Sequence, residues 1–449
     1  MSGIEELLAI GDRIVAMAKP GEQVEVVVGR STGTEVRVYE GEVEQLATAT
    51  SAGIGVRVIS DHRQGFAYAG SLDADVMAET LAEARDNATF ATADEWLGLA
   101  EPDGVEVPQL DLFREEFASI STESKIEMAM ELERAVRAQD GRITGVEAAD
   151  YADGISEGAV VSTSGIRTSG RETSCYVSTY CVAEEGDDTQ TGFGFSVGRT
   201  PGDLDVTIAA ADASRRATRL LGAVQPASGR VSVVFDPYVT AQLLSIIGST
   251  LSGEAVLKGR SLFADRLGDE VAATGLTLVD DATNPLAYSS SETDGEGLAS
   301  RRNVLIEGGV LQKFVHNAYT ARRAGTVSTA NAVRGFSSTP SVGCRALSLV
   351  PGTKSQAELL ADLGEGVLIS SVSGLHSGVN PVSGDFSTGA EGLRISGGAL
   401  GEPLREFTVA SSLQRMLSEV AAVGADVEWL PMSAAGVSLV VHGVTVSGH

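Results

Sequence analysis

The chain has 449 residues and is short of histidine, cysteine and positive charge. Its five histidines are His62, His316, His376, His442 and His449, so residues 63 to 315 contain none. There is no H-E-x-x-H and no cysteine pair at zinc-finger spacing, which removes the local signatures of a zinc site. The three cysteines are Cys175, Cys181 and Cys344. The first two lie in "TSCYVSTYC", which alternates as a strand does. Six residues of strand span roughly 20 Å, whereas a disulfide needs Cα atoms about 4.4–6.8 Å apart. Free thiols are expected, as in the cytoplasm, and the same separation denies the pair a shared metal.

Lys and Arg number 33 against 61 Asp and Glu, a net charge of −28. A nucleic-acid ligand needs a basic face to displace counterions, and an acidic membrane surface is disfavoured by the same field. Arg322 and Arg323 form a local basic pair but do not reverse that balance. No window approaches eighteen uncharged apolar residues, so no membrane-spanning helix is expected. The start, "MSGIEELLAIGDRIVAMAKPGEQ", has early acids and no apolar h-region. It does not read as a signal peptide, and a microbial cytoplasm is the expected location. "GVNPVSGDFSTG" is glycine-rich but lacks the lysine and helix of a P-loop, and no dinucleotide fingerprint is present.

What is there divides at the turn-rich stretch 222–230, giving an expected α+β domain at 1–225 and a mostly β, barrel-like domain at 226–449. In the first, Ile4, Leu7, Leu8, Gly11, Ile14, Val15 and Ala18 share a helix face. Strand signals at 24–29, 34–50, 53–60 and 65–70, separated by glycine-containing turns, suit an antiparallel meander. Helices are expected at about 73–88, 122–138 and 203–221, with further strands between the last two. The second half opens on a buried strand, "VSVVFD", and a helical run at 237–259. Glycine, serine, threonine and β-branched residues then dominate, with "KSQAELLADLG" and "SSLQRMLSEVAAVG" as helical exceptions.

The densest group of chemically capable side chains is residues 373–393, "SGLHSGVNPVSGDFSTGAEGL". Ser373, His376 and Asp385 could be imagined as a triad, but such groups converge from separate elements, and no nucleophile elbow is present. Asn380-Pro381 and Ser383-Gly384 are turn formers in their own right. His316 reads as a hydrogen-bonded structural residue. The acidic run 291–297, "SETDGEG", lacks the spacing of a calcium loop and reads as a solvated turn.

Three stretches together carry a family resemblance. "SGLHSGVNPVSGDFSTGAEGLRISGGALGEPLREFTVASSLQRMLSEVAAVGADVEW" resembles the C-terminal signature of the TldD/PmbA family, once called modulators of DNA gyrase. "GRSLFADRLGDEVAATGLTLVDDATNPLAYSSSETDGEGLASRRNVLIEGGVLQKFVHNAYTARRAG" resembles its central signature. "GIGVRVIS" through "GFAYAG", with the helix that follows, fits the N-terminal part. The resemblance implies an α+β N-terminal domain with an antiparallel sheet and a mostly β C-terminal domain. It also implies zinc peptidase activity in TldD-type members, through H-E-x-x-x-H on the helix after "VSVVFD" and a cysteine near the C-terminus.

Here the matching segment is "LLSIIGSTLSGEAVLKGRS". In one alignment the metal histidines fall on Ser245 and Thr250 and the base on Ile246. In the other they fall on Leu244 and Ser249, with the base on Ser245. The C-terminal cysteine is missing as well. No catalytic or metal residue is therefore expected in this chain. The pattern resembles TldE/PmbA-type subunits, which pair in a heterodimer with a TldD-type metallopeptidase that brings the zinc. On this resemblance the substrates would be unfolded peptides or peptide-like antibiotic precursors. His376, Asn380, Ser383, Asp385 and Phe386 would line a substrate groove or the subunit contact. The alternative is a free-standing homodimeric amidase or peptidase that uses distant residues.

Overall fold

The computed structural model describes residues 3–449. The first half contains α1 (Gly3–Val15), β1 (Gln23–Tyr39), β2 (Glu42–Ser60), β3 (Arg63–Ala69), α2 (Ala74–Phe90), α3 (Thr122–Gln139), β4 (Ile143–Ser162), β5 (Arg167–Glu185), β6 (Asp188–Gly198) and α4 (Val206–Thr218). Its six strands form one antiparallel sheet in the order β3-β2-β1-β4-β5-β6. The strand signals expected at 24–29 and 34–50 are regrouped: β1 runs unbroken through both, and the turn falls at Glu40–Gly41, both at positive φ.

Strand alternation sends the side chains of Val24, Val26 and Val28 to one face, under α1 and α2. They pack there with Leu7, Ile14, Ile54 and Leu81. Further along the same sheet α3 and α4 cover Tyr151, Val177 and Cys181. Gly11 lets α1 approach β4, since a Cβ there would lie 2.5 Å from Val161 Cγ2. Cys175 and Cys181 are free thiols on the single strand β5. Burial pushes their pKa values up to about 12 and about 11.

The second half continues with β7 (Gly229–Phe235), α5 (Pro237–Thr250), α6 (Gly253–Leu257), β8 (Leu278–Asp281), β9 (Arg302–Glu307), β10 (Val310–Leu311), α7 (Ala318–Ala324), β11 (Ala332–Val333), β12 (Ser341–Val342) and β13 (Leu347–Leu349). It ends with α8 (Gln356–Leu363), β14 (Gly366–Ser373), α9 (Leu375–Gly378), β15 (Asp385–Ser396), β16 (Ala399–Ser412), α10 (Leu413–Ser418), β17 (Val420–Val423) and β18 (Leu439–Ser447). Strands β16-β15-β14-β7-β18 are neighbours in that order. The additional pairing of β16 with β18 closes them into a five-stranded barrel, with β17 on the outer edge of β18. Phe235, Phe263, Leu244, Leu251 and Phe386 belong to its core. The fold is thus α+β, with an antiparallel N-terminal sheet and a barrel in the C-terminal half.

Two expected helices are shorter than their periodicity suggests. The run 237–259 breaks at Ser252, whose hydroxyl accepts from Ala255 N–H and starts α6. Gly253 is pressed against His316, where a Cβ would lie 2.2 Å from Nδ1. In "SSLQRMLSEVAAVG" only α10 is helical, because Val420 and Val423 pair with Val441 and Leu439 of β18. The short helix α7 was not anticipated. Asn317 caps it, accepting from Thr320 N–H at 2.9 Å.

Candidate functional site

Helix α5 leaves β7 through Asp236, whose carboxylate accepts from Tyr238 N–H. Every position onto which the peptidase motif could fall is occupied by a group that cannot serve it. Leu244 is buried in the barrel core. Ile246 packs partly against the same core. The hydroxyls of Ser245, Ser249 and Thr250 donate to the carbonyls of Ala241, Ile246 and Ile247 at 2.7–2.9 Å, within the helix itself. Among the described residues no group of three or more His, Cys, Asp and Glu gathers as metal ligands would.

A cysteine and a histidine that pack beside Gly248 and Gly253 are also engaged. Cys344 Sγ lies 3.8 Å from the carbonyl of Gly248, and burial pushes its thiol pKa well up. His316 is buried with Nδ1 3.2 Å from Thr320 Oγ1, and burial lowers its pKa. It is the hydrogen-bonded structural residue expected. A zinc ion is therefore not matched by the donor set around this helix.

The run 373–393 resolves into the end of β14, the single turn α9, a tight loop and the start of β15. Asn380 Oδ1 accepts from the N–H groups of Val382 and Ser383. Its own N–H donates to the carbonyl of Asp385 at 2.9 Å. Ser383 Oγ donates to Asp385 Oδ2 at 2.7 Å. Gln414 of α10 donates to the carbonyl of Ser383, and Gly384, at φ 83°, has no room for a Cβ beside it. Asn380, Ser383 and Asp385 are thus brought together, by bonds that shape the loop.

His376 is exposed on α9, and its ring takes no hydrogen bond among the described residues. Ser373, His376 and Asp385 are not joined as a triad, since the Asp385 carboxylate is taken by Ser383. Phe386 points the other way, into the core. His376→Ala is expected to move stability by no more than about 0.5 kcal/mol. Asp385→Ala loses one exposed bond and is expected to cost about 0.5–1.5 kcal/mol. Urea denaturation of each variant checks both values.

The larger polar assembly lies elsewhere, where the second face of the N-terminal sheet meets the C-terminal half. Arg57 Nη2 donates to Glu25 Oε2 at 2.9 Å and to Glu296 Oε1 at 3.3 Å. Arg334 Nη1 donates to the other oxygen of Glu25. Glu296 Oε2 accepts from Ala318 N–H at 2.8 Å, at the start of α7. Asp294 accepts from the N–H groups of Glu296, Leu298 and Ala332. Asp280 accepts from Arg345 N–H, Ala346 N–H and Asn331 Nδ2. The Arg345 guanidinium donates to the carbonyls of Ala330 and Thr293 and to Ser300 Oγ.

Burial alone would raise the Glu25 pKa, but Arg57 and Arg334 hold it below the usual carboxylate range. Burial raises Glu296 in spite of Arg57, and the charges of Glu25 and Asp294 push it further up. Burial likewise raises Asp280 and Asp294.

This network corrects the reading of 291–297 as a solvated turn. Asp294 and Glu296 are 4% and 0% exposed. Arg322 is not a free basic patch either, since its guanidinium donates to the carbonyls of Trp96, Gly98 and Leu99. Sequence reasoning missed Glu25 and Arg57 because a charge alternating with valines looks like the wet side of a half-buried strand. The available signal was that both flanking segments, "VEVVVG" and "GIGVRVIS", are almost wholly apolar otherwise, as strands buried on both faces are. Beside the network a cleft of about 530 Å³ opens between β1, β4 and β5 on one side and residues 291–295 and 332–336 on the other.

Comparison with known proteins gives the same outline from outside. Profiles of the PmbA/TldA metallopeptidase domain 1, central domain and C-terminal domain match residues 24–88, 115–221 and 228–448. The metalloprotease PmbA of Escherichia coli O157:H7 is 26% identical, covering 94% of this chain and 91% of that protein. The metalloprotease PmbA homolog of Haemophilus influenzae is 24% identical over 94% of this chain and 91% of its own length. The crystal structure of TldE from Thermococcus kodakarensis superposes with a TM-score of 0.89 at 25% identity, covering 99% of both chains. The chain belongs to the PmbA/TldD family of metallopeptidase-related proteins.

Proposed function

We propose that this chain is a TldE/PmbA-type subunit that supplies no catalytic group of its own. Its partner would be a TldD-type zinc metallopeptidase, and together they would process unfolded peptides or peptide-like antibiotic precursors in the cytoplasm. One observation carries the reading: on α5 the motif positions hold aliphatic side chains and hydroxyls already bonded to their own helix. An H-E-x-x-x-H helix works because histidines on adjacent turns hold the metal and the glutamate activates water. Hydroxyls tied to helix carbonyls offer neither function. The likeness to the Thermococcus TldE supports the same reading. The partner would bring metal, base and water, and this chain would bring interface and one wall of the substrate channel.

Mixing the purified chain with a TldD-type subunit is expected to give peptide hydrolysis that a chelator abolishes. The lone chain is expected to give none and to retain no stoichiometric zinc after dialysis. Chelator-insensitive hydrolysis by the lone chain would instead establish the free-standing hydrolase. Zinc retained at one equivalent and lost on substituting His316 or His376 would overturn the non-catalytic assignment.

A further inference from the structure

The buried network between the two halves leaves one cation short of acceptors. Arg334, just after β11, has a side chain 1% exposed. Its Nη1 donates to Glu25, while Nε and Nη2 are buried with no hydrogen-bond partner among the described residues. In a planar guanidinium the Nε–Nη2 edge lies opposite Nη1, so the empty edge faces away from Glu25. Arg334 lines the interdomain cleft and Glu25 does not, which puts that edge on the cleft side.

A second cleft residue is in the same condition. Thr168 Oγ1 on β5 is buried and also has no partner. Both side chains press on one short loop. A Cβ on Gly295 would lie 2.9 Å from Arg334 Cγ, and one on Gly297 would lie 2.7 Å from Thr168 Oγ1. The loop does not supply the missing acceptor. Asp294 already accepts from three N–H groups, and Glu296 from Arg57 and the N–H of Ala318.

The other carboxylates that line the cleft are engaged as well. Glu157 accepts from Arg30 at 2.5 Å, Glu172 from Arg199 at 3.4 Å and Glu292 from Leu110 N–H at 2.9 Å. The buried polar atoms left unmatched along the cleft therefore belong to a guanidinium and a hydroxyl, both of which can donate. The cleft volume, about 530 Å³, falls within the roughly 300–1,000 Å³ usual for ligand sites.

We propose that the cleft binds a ligand through a carboxylate held in two-pronged fashion by Nε and Nη2 of Arg334. This edge of a guanidinium matches the two oxygens of a carboxylate. The same edge of Arg57 holds both oxygens of Glu25, at 3.1 and 2.9 Å. An ionised carboxylate accepts and does not donate, so it answers the empty edge, and Thr168 adds a further donor from the same cleft. A net charge of −28 gives anions no general attraction to this chain, so the preference must come from the site itself. The peptide class of the ligand rests on the function proposed above. The site refines it to peptides that present a carboxylate, at the chain end or on an acidic side chain.

The test is binding to the full-length lone chain, read by saturation-transfer NMR. The probes are acetyl-Ala-Ala-Ala with a free C-terminal carboxylate, the same peptide as its amide, and acetyl-Ala-Glu-Ala-amide. A carboxylate peptide is expected to bind at least about tenfold more tightly than the neutral amide. Preference for the first probe assigns the site to chain ends, and preference for the third assigns it to acidic side chains. Arg334→Lys keeps a cation beside Glu25 but has no fork, and it is expected to abolish the preference. Gly170→Leu obstructs the cleft without altering Arg334, and it is expected to do the same with the thermal melt unchanged, because its β-carbon meets no neighbour within 4 Å. If Arg334→Lys melts lower, Gly170→Leu carries the test. Equal or undetectable binding of all three peptides, or a preference that survives either substitution in a folded chain, overturns the proposal. Partner-dependent hydrolysis is a separate readout. Its absence with carboxylate binding intact would remove the heterodimer and leave the site, and the converse would remove only the site.

Discussion

Replacing Arg57 with alanine is expected to destabilise the chain by about 3–5 kcal/mol, the cost of leaving buried carboxylates without their cation. Arg57 is 3% exposed, and its guanidinium joins Glu25 on the N-terminal sheet to Glu296 in the C-terminal half. Removing it leaves Glu25 with Arg334 alone and Glu296 with no guanidinium in contact. At roughly 1 °C per kcal/mol for a chain of this length the melt should fall by roughly 3–5 °C. Arg37→Ala is the control. Its pair with Asp150 is half exposed, and such pairs contribute about 0–1 kcal/mol.

The pH dependence of the Arg57→Ala cost follows from the same charges. Glu25 has a folded pKa below its unfolded value, so its contribution is present above the unfolded pKa and is lost as pH falls through the folded one. Glu296 has a raised folded pKa, so its ionisation costs stability as pH rises. Without Arg57 both carboxylates hold protons more readily, and protonation removes the uncompensated charge. The Arg57→Ala deficit should therefore be smaller near about pH 4.5 than near about pH 7.5. Urea denaturation at both values checks the sign. An equal deficit would mean that Arg57 acts by packing alone.

How legible this network was depends on the range of the interactions involved. Helix α1 could be read because Leu7, Leu8, Gly11 and Ile14 repeat at helical spacing and the face they form is buried as a unit. The antiparallel meander could be read from its short alternating strands, but the β1–β2 turn at Glu40–Gly41 could not, because it falls inside the strand signal at 34–50. The break in the run 237–259 could not be read, because beside the Ser252 cap the chain is held there by Gly253 N–H donating to the carbonyl of Val315 at 2.8 Å, from far along the sequence. Barrel closure depends on β16 meeting β18, as in Thr408 opposite Ser447, and no local pattern encodes that pairing.

The candidate site was legible in its gaps. The absence of histidine and carboxylate on α5 is visible in the letters alone, and the structure adds that the hydroxyls there are already used. Glu25, Arg57, Glu296 and Arg334 were hidden for the reverse reason. Each lies in a segment whose local chemistry is ordinary, and only the meeting of the two halves makes the four charges a unit.

Phe386→Ala is the second large effect expected, at about 3–5 kcal/mol. The sequence groups Phe386 with His376 as a groove residue, but strand alternation separates it from its neighbours. Asp385 and Ser387 face solvent, and Phe386 is 1% exposed in the barrel core. Truncation removes the phenyl ring and leaves a cavity between β15 and the residues around it. Phe386→Leu keeps most of the volume and should cost less than half as much. Measured beside the complex proposed above, the two substitutions separate folding from recognition. If Phe386 serves only the core, activity with the partner should track the folded fraction and recover on cooling. His376→Ala should leave the melt unchanged, so any activity it loses belongs to the groove or the contact. A Phe386→Ala chain that melts like the wild type would remove the residue from the core and return it to the groove.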